Sequence, residues 1–134
     1  MTAVPLFAQL PLHWSAIAST SNSSWTGNPS NVQVLGSAGA SGALLTRVVA
    51  RPRATATANF VQIFHSASGG TIMTLLDGKT MAADTVSSSD APAEVAFSAS
   101  ETLPWRLAAN DILLVGISLA IADGVSFQAE GAHF

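Results

Sequence analysis

Apolar and polar residues trade places every few positions along this chain, and no stretch sustains a helical period. Runs rich in β-branched, aromatic and aliphatic residues recur between clusters of Gly, Asn, Asp, Ser and Pro, which is the punctuation of an all-β protein. Ten candidate strands follow, at residues 13–19, 32–35, 43–50, 59–65, 71–76, 79–86, 94–98, 103–107, 112–121 and 125–133. "HSASGGT" predicts a short glycine-bearing hairpin. "AAND" and "ADG" predict turns that join the last three strands into a meander, Asp123-Gly124 being a strong two-residue turn signal. "TSNSSWTGNPSN" reads as a polar loop around one tryptophan, and "DTVSSSDAPAE" is too polar for a helix.

The faces of the strands refine this. In 125–133, Val125, Phe127 and Ala129 alternate with Ser126, Gln128 and Glu130, so one face is buried and the other wet. In 112–121, Leu113, Val115, Ile117, Leu119 and Ile121 make one apolar face, while Ile112, Leu114, Gly116, Ser118 and Ala120 make an uncharged opposite face. A strand with no charged face belongs in a sheet covered on both sides. The second sheet of a sandwich supplies one cover, and a neighbouring subunit is the expected source of the other. The fold expected is an all-β, two-sheet antiparallel β-sandwich of jelly-roll-like kind, with an up-and-down barrel as the alternative. Residues 1–13 read as an extended N-terminal arm, because Pro5 and Pro11 forbid helix while Leu6, Phe7 and Leu10 want burial. The arm either packs on its own domain as an edge strand or reaches a neighbour; residues 14–134 form the single domain.

Composition then narrows the function. Only 10% of residues are charged against about 25% in ordinary soluble domains, 49% are hydrophobic, and mean hydropathy is positive. Such a chain hides surface against other chains, so a homo-oligomer or docking onto a larger body is expected. A net charge of −3 argues against nucleic acid as a partner. The absence of cysteine removes disulfides and thiolate metal sites. "MTAVPLFAQLPLHW" lacks the basic start of a signal peptide. No stretch approaches 18 apolar residues, so no membrane partner is expected.

Candidate chemistry is sparse. His13, His65 and His133 lie far apart with no acid at ligand spacing, which points to strand-end residues and to no metal or other cofactor. Glu101, Asp111 and Asp123 read as turn carboxylates rather than a catalytic pair. "LGSAGASGAL" lacks the lysine and helix of a phosphate loop, and no nucleophile elbow occurs. No enzyme is expected. Residues 1–46 carry no charge, and Arg47, Arg51 and Arg53 then arrive together, sharing parity along one strand face. They read either as guards of an edge strand or as a stripe that docks an acidic patch. Among Trp14, Trp25 and Trp105, Trp105 is expected in the core and Trp25 as an exposed anchor.

"TSNSSWTG", then "GASGALLTRVVARPRATATANFVQIFHSASGGT", then a Leu-Pro strand and a terminal "FQAEGAHF" together resemble small virion proteins of tailed bacteriophages and prophages. The resemblance spans residues 20–134. It implies a structural role, first as a capsid decoration (cement) protein that binds the major capsid protein on the outside of the head, and second as a fibre, spike or host-surface-binding module. It also implies a virion location after synthesis in the host bacterial cytoplasm. The partner-binding residues expected, from the arm, the loop tryptophan and the arginine cluster themselves, are Leu6, Phe7, Leu10, Trp25, Arg47, Arg51 and Arg53.

Overall fold

Residues 10–25, 29–67 and 72–134 are described by the computed structural model. Within them run β1 (Leu10–Ala18), β2 (Gln33–Ser37), β3 (Ala43–Pro52), β4 (Asn59–Ser66), β5 (Thr74–Met81), β6 (Val95–Ala96), β7 (Trp105–Leu107), β8 (Ile112–Ile117) and β9 (Val125–His133). One sheet has the order β1-β9-β3-β6, with β7 also on β3, and the other has the order β2-β8-β4-β5. Every strand pairing is antiparallel. The sheets stay open at their edges, so the architecture is a sandwich and not a closed barrel.

Alternation builds the core. Leu12, Leu45, Val48, Ala50, Val125, Phe127 and Ala129 face inward from the first sheet, and Leu35, Val61, Ile63, Met81, Leu113, Val115 and Ile117 meet them from the second. Burying each larger side chain contributes about 1.5–3 kcal/mol. Trp14 completes the β1–β2 side by lying over Gly36, where any Cβ would overlap the indole ring. This close approach falls at a bulge in β2, between Val34 and Gly36.

Four expectations change. Parts of the candidate strands 71–76 and 79–86 run together as one strand, β5 (Thr74–Met81), with residues 68–71 of the predicted hairpin outside the described residues. "DG" at 77–78 reads as a turn signal, but Asp77 Oδ1 accepts from the Gly78 amide at 2.8 Å and the chain stays extended through a bulge. The missing Cβ of Gly78 makes room for the Phe60 ring. The predicted meander is also overturned, because β7 and β9 lie in one sheet and β8 in the other. "AAND" and "ADG" are therefore crossings between layers. Asn110 takes φ 61° and Gly124 φ 76° to make them.

Strand 112–121 is shorter than predicted. β8 stops at Ile117; beyond it the Ser118 amide still donates to Phe60 O at 3.0 Å, and Asn59 Oδ1 also accepts from the Ser118 and Leu119 amides at 2.9 and 3.1 Å, so a side chain takes over at the strand end. The arm, finally, does not extend to residue 13. Leu10 pairs with His133 and His13 with Glu130, so residues 10–13 open β1, and Leu12 belongs to the core. Residues 1–9 lie outside the described residues.

Candidate interaction surface

The outer face of the second sheet is where the two-sided apolar pattern of β8 finds its cover, and the cover comes from the same chain. Parity turns Phe60, Gln62 and Phe64 of β4 outward, yet Gln62 and Phe64 are both 0% exposed. The described parts of the connection between β1 and β2 lie over this face. Ser21 bridges to Ile117, and the Asn22 amide donates to Ile117 O at 2.7 Å. Asn22 and Gln62 then lock reciprocally. Asn22 Nδ2 donates to Gln62 Oε1 at 3.0 Å, and Gln62 Nε2 donates to Asn22 O at 3.3 Å. Val32 closes over Gly116, where a Cβ would stand 3.3 Å from Val32 Cγ1. The expectation that a neighbouring subunit covers this face is thus corrected, since Ser21, Asn22, Trp25 and Val32, from the described parts of the β1–β2 connection, form a lid over it.

Trp25 sits at the rim of that lid. Its ring stacks on Phe60 with centroids 4.8 Å apart and planes 18° from parallel, leaving the residue 47% exposed. Offset stacking of this kind fixes an aromatic ring that solvent still reaches. Trp105 is half-buried and packs against the edge of the core.

The arginines lie on the outer face of the first sheet. Arg47 and Arg51 both reach Glu94, Arg47 at 3.0 Å, and Arg47 also reaches Glu130 at 3.5 Å. Arg51 further contacts Gln128, while Arg53 donates to the Asp123 carbonyl at 2.9 Å. The structure brings Arg47 and Arg51 together around one carboxylate supplied by the segment before β6. Arg53 is diverted to the β8–β9 crossing, so the three do not form one stripe. Val49, between Arg47 and Arg51 on the outward parity, is 1% exposed, as expected when long arginine side chains lie along a sheet. The cluster balances its own charge.

The histidines stay apart. His65 Nε2 lies 2.9 Å from Asp111 Oδ2, which also accepts from the Ala108 amide at 2.9 Å and so braces the β7–β8 crossing. His133 packs near Trp14, with centroids 6.2 Å apart. His13 is exposed on β1. Among the described residues no group of three His, Asp or Glu side chains is placed to hold a metal ion. A shallow groove of about 510 Å³ runs over Gly131 between His13, Leu44, Thr46 and Glu130. A second space of about 310 Å³ opens at the sandwich edge beside His65, Leu76 and Trp105.

Of the other residues expected to bind a partner, Leu10 is 63% exposed at the start of β1, and Leu6 and Phe7 fall outside the described residues. Ile17, Val34, Ile72, Leu103 and Leu119 are exposed as well and did not stand out in the sequence. The alternation at 59–66, apolar at Phe60 and Phe64 as well as at Val61 and Ile63, carried the signal of the outer layer.

No family model matches the chain, and no curated relative matches it. Two solved structures contain chains of weak likeness. One is the structure of infectious bursal disease virus Gt strain, at 14% identity and TM-score 0.32, with 98% of this chain and 33% of that chain covered. The other is the structure of infectious bursal disease virus Gx strain, also at 14% and 0.32, with 99% and 37% covered. The chain spans about a third of the length of either. Both neighbours are viral and of another virus type than the tailed phages, and likeness this weak carries no argument about function.

Proposed function

We propose that the chain is a non-enzymatic structural component of a virus particle, a decoration (cement) protein that binds the major capsid protein of a tailed-phage head and braces the shell. The observation that carries this reading is the exposed apolar surface. Ile72 and Leu103 are 69% and 74% exposed, and Leu10, Val34 and Leu119 are each more than half exposed. They stand on a sandwich whose Arg47 and Arg51 are already engaged by its own Glu94 and Glu130. Such side chains gain by leaving water against another protein, at about 25 cal/mol per Å², and repetition on a shell turns weak contacts into firm attachment. The chain passes repeatedly between two antiparallel sheets, which suits the jelly-roll reading, an architecture used in viral shells. On this reading the protein is made in the host bacterial cytoplasm, assembles with itself and with virion proteins, and uses no cofactor, nucleic acid or membrane.

The test is to strip particles of the protein and titrate it back. Saturable co-sedimentation that raises the temperature at which shells rupture supports the proposal, and the absence of both defeats it. A second reading, a fibre or host-surface-binding module, is favoured by the exposed Trp25 ring on Phe60. It predicts that Trp25→Ala abolishes binding of the purified protein to host cells, with its attachment to particles unchanged.

A further inference from the structure

We propose that β1 is a pairing seam between two copies of this chain, joining two β1-β9-β3-β6 sheets edge to edge about a two-fold axis. The inference names the self-contact within the assembly proposed above and rests on that reading. Among the described residues four sheet edges have no further strand beside them, and three carry the features that prevent pairing with another chain. β2 is five residues long with a bulge, β5 has a bulge and the charges of Asp77 and Lys79, and β6 and β7 are two and three residues long. β1 differs from all of them. It has nine residues in unbroken register with β9 and no Asp, Glu, Lys or Arg, and Pro11 withholds a donor only near its start.

The strand is also complementary to itself. Continuing a sheet across a two-fold keeps inner faces inside and outer faces outside only when residues of the same parity meet. With Trp14 on the axis, Pro11 faces Ile17 of the second copy and His13 faces Ser15, while Leu10 meets Ala18 on the inner side. Leu10 and Ile17 are exposed at 63% and 47% in the single chain, and this register gives each an apolar neighbour. No like charges oppose one another anywhere along it. A contact one strand wide is small, which suits copies held in register by a shell and predicts weak dimers in free solution.

Two experiments test the seam. Sedimentation of the wild-type protein should show a monomer–dimer equilibrium below about 1 mM. Ser15→Lys, an outward charge at the middle of the edge, should weaken dimerisation at least about tenfold with an unchanged thermal midpoint. Because the chain has no cysteine, the double variant His13→Cys/Ser15→Cys should form covalent dimers under mild oxidation, and a Ser30→Cys control should not. A wild-type protein that stays monomeric at 1 mM overturns the inference, as does a Ser15→Lys protein that dimerises equally well or a double variant that crosslinks no faster than the control. A monomer that still coats stripped particles removes the seam and leaves the proposed function standing. A dimer with no affinity for particles does the reverse.

Discussion

Asn22→Ala should release the lid from the second sheet. The substitution removes the donor to Gln62 Oε1, a group with no exposure to water, and the local bonds that Asn22 makes with Ser24, at 2.8 Å to its carbonyl and 3.3 Å from its amide. Leaving the buried amide oxygen without its partner costs about 1–3 kcal/mol, and the shorter-range bonds add about 1 kcal/mol. The sum, roughly 2–4 kcal/mol, lowers the thermal midpoint of a domain this size by roughly 8–15 °C. Adding Gln62→Leu removes the stranded amide, so the double variant should recover at least about 1 kcal/mol relative to the sum of the single effects. Thermal and urea unfolding measure these values. Hydrogen exchange should show β4 and β8 amides losing protection in the single variant. An Asn22→Ala protein with a wild-type midpoint and wild-type exchange in β8 would refute the claim that this loop is the sheet's outer cover.

Other outcomes follow from the same packing. Phe127→Ala, at a fully buried position near Phe97, should cost about 3–5 kcal/mol in urea unfolding. Deleting residues 1–12 takes Leu12 out of the core and should lower the midpoint clearly in calorimetry. Arg51→Ala should change stability by less than about 1 kcal/mol, because its pairing with Glu94 is solvent-exposed. Comparing unfolding at low and high salt should show that small effect vanish.

What the sequence made legible was whatever depends on alternation. The inward sets Val125–Phe127–Ala129 and Leu113–Val115–Ile117 were readable because a period of two assigns faces directly. The all-β class and the two layers follow from them. Sheet membership was not readable, since a turn such as Asp123-Gly124 looks the same whether it closes a hairpin or crosses between layers. The signal at Asp77-Gly78 misled because the glycine serves Phe60 rather than a turn. The arginines were legible as a cluster, but their partners were not, because Glu94 stands 43 residues beyond Arg51 and only the fold brings it near. The lid was hidden for a similar reason, its Asn22 and Gln62 being 40 residues apart.

The most direct test of the proposed function is cryo-electron microscopy, with mass spectrometry of the same sample, of virus particles released by cells that carry the gene for this chain. The account predicts that the protein is present in constant ratio to the shell protein, as density on the outside of the head that fits this sandwich and contacts the shell through its exposed apolar residues. Intact particles that contain the shell protein and none of this chain would contradict it.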